Sequence, residues 1–247
     1  MRMTRVFVGS ALTPGGAVQL PPDTASHLAK VLRARAGDEL VLFNGDGREF
    51  TGAIEAVRGS RVSAFVGEGR AVARESPLAI TLVQSVPRGD RMDFIVQKAT
   101  ELGVARIVPV LSQRSVVRLD AAQAESKAAH WRAVAISACE QCGRNSLPVI
   151  EAAQPLLTYL GESAPCAGPR LVFEPESVPQ PLAAASAGVT IADAQIAIGP
   201  EGGFAADELE AFRVAGFTQG GLGPRVLRAE TAAIAAMVWL QTRFGDM

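Results

Sequence analysis

The sequence predicts an α/β protein in which a small β module precedes a larger domain built on a parallel sheet. Three observations carry this. Residues 1–70 break into short apolar runs separated by Gly- and Pro-containing turns. From residue 78 onward, apolar runs alternate with segments of helical period. Hydrophobic residues make up 48% of the 247-residue chain and aromatics only 5%. The core must therefore rest on Ala, Val, Leu and Ile, a mix that suits helices packed closely on a sheet.

In the N-terminal part, Arg5–Val8, Glu39–Phe43, Phe50–Val57 and Arg61–Val66 are rich in Val, Phe, Leu and Ile and are expected as strands. Pro14-Gly15-Gly16, Gly37-Asp38, Gly45-Asp46-Gly47 and Gly59-Ser60 mark the turns. One helix interrupts the series. Asp23 is placed to cap it, and Ala25, Leu28 and Leu32 share a face. Strands so closely spaced pair antiparallel, as a small barrel or sandwich.

Gly67–Pro77, polar and closed by a proline, reads as a linker. Beyond it, Leu78–Gln84, Arg106–Leu111, Arg170–Glu174 and Gln195–Ile198 are expected as buried strands. Asp90–Leu102 places Phe94, Ile95, Lys98 and Leu102 at helical spacing, with Gly103 as the stop. A long amphipathic helix runs from Asp120 to about Gly143 through Trp131, Val134, Ala135, Ala138 and Cys142. Ala206–Ala215 and Glu230–Phe244 are the remaining helices. Such alternation requires crossover connections and hence a parallel sheet. The domains are accordingly expected at 1–70 and 76–247.

The net charge is −1, so the chain is not a uniformly basic nucleic-acid binder. Arg2, Arg5, Lys30, Arg33, Arg35, Arg48, Arg58, Arg61, Arg70 and Arg74 nevertheless concentrate near the N-terminus, where a basic patch is expected. The three cysteines suggest no disulfide framework. Cys139 and Cys142 form a CxxC, readable as a metal or redox pair or as two small residues in a helix. His27 and His130 complete no recognisable zinc set, and no metal is expected. No apolar run approaches the roughly 20 residues of a membrane span, and the N-terminal stretch lacks a signal-peptide core. A cytoplasmic location is expected.

Two segments carry chemistry. Ile198-Gly199-Pro200-Glu201-Gly202-Gly203-Phe204 joins a strand to a helix. Its glycines allow close approach of backbone to a ligand, at the carboxyl end of a parallel strand where α/β sheets bind ligands. It is neither a Walker A loop nor a GxGxxG, and Glu201 would repel a phosphate. Leu222-Gly223-Pro224-Arg225-Val226-Leu227-Arg228-Ala229-Glu230-Thr231-Ala232 likewise leads into a helix. Glu230 suits the first turn of that helix, and Arg225 and Arg228 are either solvated or available for phosphate or for negative charge forming on a base. Leu171-Val172-Phe173-Glu174-Pro175 and Glu140-Gln141-Cys142-Gly143-Arg144-Asn145 say little alone.

GPEGGF (Gly199–Phe204) with LGPRVLRAETA (Leu222–Ala232) resembles the paired signature of SPOUT-class methyltransferases. More narrowly, it is similar to the bacterial family that methylates N3 of a uridine in 16S ribosomal RNA. HLAKVLR (His27–Arg33), KATELGV (Lys98–Val104), Gln113-Arg114-Ser115 and EQCGR (Glu140–Arg144) extend the match over nearly the whole chain. Two departures stand out: Pro87-Arg88 lies where the family often has lysine, and Cys142 where a small polar residue is common.

The resemblance implies a PUA-like RNA-binding β-barrel followed by a SPOUT α/β domain with a C-terminal trefoil knot. It implies a homodimer acting on 16S rRNA within the assembled small subunit. It implies S-adenosyl-L-methionine as cofactor, held by Leu171, Phe173 and Glu174, by Ile198, Gly199, Pro200, Glu201, Gly202 and Gly203, and by Leu222, Gly223, Val226, Leu227, Arg228 and Thr231. Arg228 and Glu230 are the catalytic candidates. Arg228 would stabilise charge on uracil, and Glu230 would take the N3 proton, orient Arg228, or serve only as a helix N-terminal acid. Arg5, His27, Arg33, Arg114 and Arg144 are candidates for RNA contact. The alternatives are 2′-O-methylation by the same fold, a non-catalytic RNA-binding assembly factor and, remotely, an oxidoreductase.

Overall fold

The computed structural model describes residues 3–163, 166–175 and 191–247. The chain forms two compact units, Met1–Glu75 with Ile136–Leu147, and Ser76–Ala135 with Pro148–Met247.

The first unit contains β1 (Thr4–Phe7), β2 (Ala17–Gln19), α1 (Pro22–Lys30), β3 (Glu39–Phe43), β4 (Arg48–Arg58) and β5 (Arg61–Ala71). Among the described residues they form one sheet of order β1-β3-β4-β5-β2. The expected antiparallel pairing applies to β3–β4, β4–β5 and β2–β5, but β1 and β3 run parallel. Helix α1 lies in the connection between them, and a parallel pair needs a crossover of this kind. The helix begins on Pro22 with Pro21 as N-cap; Asp23 sits inside the first turn and does not cap. It ends at Lys30, so Leu32 falls outside the helical phase and is 50% exposed. The expected linker starts later than Gly67, because β5 continues to Ala71 and Arg74 and Glu75 are ion-paired.

Two ion clusters tie this unit together. Glu49, buried, accepts from Arg5, Arg70 and Arg74 at 2.7–2.9 Å. Arg144 pairs with Glu75 at 2.7 Å. The Cys139 and Cys142 pair sits in the last turn of a helix, where Cys139 is buried. A hydrogen bond that the Cys139 thiol donates to Cys142, and burial, both push that thiol up, away from the reactive thiolate.

The second unit contains β6 (Ala79–Ser85), α2 (Arg91–Glu101), β7 (Val104–Leu111), most of α3 (Ala121–Cys142), β8 (Val149–Ile150), β9 (Gln154–Pro155), α4 (Leu156–Glu162), β10 (Arg170–Phe173), β11 (Asp193–Ile198), α5 (Ala206–Val214), β12 (Thr218–Gly220) and α6 (Ala229–Phe244). Among the described residues the strands form a seven-stranded sheet of order β12-β10-β11-β6-β7-β8, with β9 also on β7. Every pairing is parallel.

Both faces of this sheet are covered. Leu82, Ile107, Leu171 and Ile196 point into one core with Met92, Ile95, Val96, Ala99, Trp131, Ala233, Met237 and Leu240. Their neighbours Val83, Val108, Val172 and Ala197 point into a second core with Tyr159, Leu160, Phe204, Phe212 and Phe217. The period-2 alternation of strands thus serves two apolar layers, which is why these strands read as unbroken apolar runs. On α2 the buried stripe is Met92, Ile95, Val96 and Ala99; Phe94 falls off it and is 45% exposed, contrary to expectation. No described helix is long and apolar enough to cross a membrane.

Candidate active site

The register of the sheet brings the two signature segments together. Phe173 pairs with Ile198 on β11 and with Gly220 on β12, so three adjacent parallel strands end at one level. The loops that leave them surround a cavity of about 230 Å3. Its wall comprises Phe173, Glu174 and Pro175, then Ile198, Gly199, Pro200, Glu201 and Gly203, then Leu222, Gly223, Arg225, Val226, Leu227 and Arg228, closed by Ala229 and Ala232 of α6. A crevice beyond the carboxyl ends of parallel strands is the expected ligand position in such sheets.

Three expected cofactor residues lie elsewhere. Leu171 is two residues down β10, buried in the apolar core. Thr231 is exposed, because Ala229 and Ala232, three apart on α6, occupy the cavity-facing side of its first turn. Gly202 turns its carbonyl outward to accept Arg114 Nη1 at 2.9 Å. Pro175, Arg225, Ala229 and Ala232 line the cavity without having been anticipated. The spacing of the two alanines was the available signal.

The glycine turn is held from several sides. Gly203 has φ +65°, and its N–H donates to the Pro200 carbonyl at 2.9 Å. A Cβ at Gly203 would lie 3.2 Å from Glu174 Oε2. Glu174 Oε1 accepts the Phe204 N–H at 3.3 Å, and Phe204 is buried edge-on against Phe212, centroids 4.8 Å apart. The Gln113-Arg114-Ser115 segment braces the turn further. The Gln113 N–H donates to Glu208 at 2.8 Å, and the other Glu208 oxygen accepts the Ala205 N–H at 2.9 Å. Gln113 also bonds Asp207, and Ser115 Oγ donates to the Val86 carbonyl at 3.0 Å.

The acids of the site meet a cation absent from the sequence expectations. Arg91, first residue of α2, forms an ion pair with Glu201. Its Nε lies 3.9 Å from Glu230 Oε1, while Glu230 Oε2 is buried without a hydrogen-bond partner. The Arg88 N–H also donates to Glu201, at 3.3 Å. The cation beside Glu230 is therefore Arg91, not Arg228, which stands exposed on the cavity rim.

The arginines expected at RNA divide by burial. Arg5 is 9% exposed and donates to Glu49, to the Arg144 carbonyl and to Asn145. Arg144 is 7% exposed and committed to Glu75. Both hold the first unit together and present no open guanidinium. His27 and Arg33 are exposed, Arg33 with φ +51°. Arg114 is exposed beside the glycine turn. Among the described residues no group of three or more His, Cys, Asp or Glu could hold a metal ion.

A family model described as an RNA methyltransferase domain matches residues 74–241, and one described as an RNA methyltransferase PUA domain matches residues 20–69. The ribosomal RNA small subunit methyltransferase E of Buchnera aphidicola subsp. Schizaphis graminum is 32% identical, across 100% of this chain and 98% of its own. The chain belongs to the ribosomal RNA small subunit methyltransferase E family. Two solved structures match it over 100% of both chains: a methyltransferase from Legionella pneumophila with bound cofactor SAM (38% identical, TM-score 0.91), and the family member from Neisseria gonorrhoeae bound to S-adenosyl methionine (36%, 0.89). In family terms, the PUA domain falls in the first unit and the methyltransferase domain carries the cavity.

Proposed function

We propose that this chain uses S-adenosylmethionine to methylate N3 of a uridine in 16S ribosomal RNA of the small subunit. The observation that carries the reading is one cavity walled by both the GPEGG turn and the LGPRVLRA loop, with Arg228 on its wall and Glu230 next in sequence to the lining residue Ala229.

The cavity suits the cofactor. Ile198, Leu222, Leu227 and Ala232 offer apolar surface for a purine, and the glycines expose backbone donors and acceptors for its edge. A Cβ at Gly199 would come within 3.3 Å of Gly203 backbone, so the turn is already drawn as tight as side chains allow. When bound, S-adenosylmethionine supplies an electrophilic methyl group on a positively charged sulfur.

The protein's task is to present a nucleophile. Uracil N3 carries a weakly acidic proton and attacks only as that proton leaves. Glu230 Oε2, buried with no partner, is the acceptor for it. Arg228 meets the negative charge that spreads onto the flanking uracil oxygens. Alignment of base and methyl donor in one cleft supplies several kcal/mol more of barrier reduction.

His27, Arg33 and Arg114, all exposed, are assigned to RNA phosphate. N3 lies on the pairing edge, so the target uridine sits in a loop or junction of folded RNA. The enzyme works as a cytoplasmic homodimer whose C-terminal loops form a trefoil knot. Supporting the dimer, Val226 on the cavity rim is 78% exposed, an apolar side chain suited to cover by a second copy.

The test is incubation with S-adenosylmethionine labelled on the methyl group and separate small and large subunits from a strain lacking the enzyme. Label is expected in small-subunit RNA alone. Equal labelling of both subunits, or of neither, would remove the reading.

A further inference from the structure

We propose that Arg91 is a positioning residue for methyl transfer: it fixes the glycine turn through Glu201 and serves as the countercharge of Glu230. The inference rests on the methyl-transfer reading for its second half only.

Helix chemistry gives the first reason. Arg91 opens α2, where the free N–H groups make a positive end. A cation there is disfavoured by the helix dipole. A residue that breaks a local preference calls for a compensating gain elsewhere. Here the gain is two carboxylates, one on the glycine turn and one in the first turn of α6.

Geometry gives the second. Arg91 is ion-paired with Glu201, in the middle of the turn that walls the cavity. The same guanidinium lies 3.9 Å from Glu230 Oε1, at the start of α6. One planar fork thus connects the glycine turn to the first turn of α6, as an ammonium on a flexible stem would not. It also neutralises Glu201, which would otherwise set a second negative charge near Glu230.

Glu230 gives the third. Its Oε2 is buried and unpartnered, so Arg91 is the charge that offsets its carboxylate. Removing the cation would leave a partly buried carboxylate with no countercharge to hold it in place. Arg91 acts through the two acids and touches no reacting atom.

The experiment uses the full chain and four variants: Arg91→Ala, Arg91→Lys, Glu201→Gln and the Arg91→Ala/Glu201→Gln double. Calorimetry with S-adenosylhomocysteine reads the turn without any RNA. Single-turnover methylation of small subunits at saturating cofactor reads Glu230. Arg91→Ala is expected to weaken S-adenosylhomocysteine about fivefold, Glu201→Gln similarly, and the double variant no further, because groups acting as a unit are non-additive. Arg91→Ala should also slow the saturated rate at least tenfold. Arg91→Lys should recover the affinity but not the rate. Additive losses in the cycle, or an Arg91→Ala enzyme with affinity and saturated rate within twofold of wild type, would overturn the proposal. Should Arg91→Ala fail to fold, Arg91→Lys and Glu201→Gln decide it. Wild-type protein that binds S-adenosylhomocysteine yet methylates no subunit would sink the methyl-transfer reading, while the affinity cycle would still decide the Arg91–Glu201 half.

Discussion

Arg114 Nη1 donates to the carbonyl of Gly202 at 2.9 Å, so a side chain from the turn after β7 holds the outer edge of the glycine turn. With Gln113 on Glu208 and Asp207, this makes the Gln113-Arg114-Ser115 segment a brace for the loop that lines the cavity. A charge-assisted hydrogen bond of this kind contributes about 1 kcal/mol when partly exposed. Arg114→Ala should therefore weaken S-adenosylhomocysteine about fivefold by calorimetry and leave the thermal midpoint nearly unchanged. Unaltered affinity would show that the turn keeps its shape unaided.

Gly203→Ala tests the turn from inside. Its φ of +65° is disfavoured for alanine by about 1–2 kcal/mol. The added Cβ would also press on Glu174 Oε2 at 3.2 Å, disturbing the carboxylate that holds the Phe204 N–H. The expected result is a lower denaturant midpoint together with loss of cofactor binding at concentrations that saturate wild type. Normal binding would contradict the tight-turn account.

Stability should fall on the acid side. Burial pushes the Glu49 carboxyl up, but hydrogen bonds from Arg70, Arg5 and Arg74 outweigh it and hold Glu49 at about 2, against an ordinary 4.5. A carboxyl lowered on folding contributes stability in full above its unfolded value and loses it as pH falls through the folded one. The contribution should thus be complete at neutral pH and fade from about 4.5 toward 2. Glu49→Gln leaves Arg5 buried without its partner, at a cost of about 3 kcal/mol at pH 7. Denaturant titrations from pH 7 downward should show the gap between wild type and variant closing over that window. A constant gap would mean that Glu49 packs rather than pairs.

Much of this was legible in the residues. The α/β alternation and both cavity loops follow from periodicity and glycine placement, which are local properties. What was hidden depends on distant partners. Arg5 and Arg144 look like surface cations until Glu49 and Glu75, 44 and 69 positions away, are seen to bury them. The parallel β1–β3 pair required knowing that α1 serves as a crossover. Arg91 lay in the stretch where Arg88 drew notice; only the fold brings it to Glu201 and Glu230. Phe94 was expected to share a face with Ile95, Lys98 and Leu102, but the buried stripe of α2 runs along Met92, Ile95, Val96 and Ala99 and leaves Phe94 off it.

Arg228 is exposed at the mouth of the cavity, with no ion pair to Glu230 among the described residues. If it stabilises charge on the base, Arg228→Ala should lower the single-turnover rate at saturating cofactor by about 100-fold, the usual scale for one electrostatic donor. Affinity for S-adenosylhomocysteine should change far less. A rate within a few-fold of wild type would end this assignment.

On the proposed reading the methyl group goes to a uracil ring nitrogen. Small subunits from a strain lacking the enzyme, methylated in vitro by this protein, digested to nucleosides and read by mass spectrometry, test it directly. One new product, 3-methyluridine, is expected from one site in 16S RNA. A 2′-O-methylated nucleoside, or a methyl group on any other atom, would contradict it.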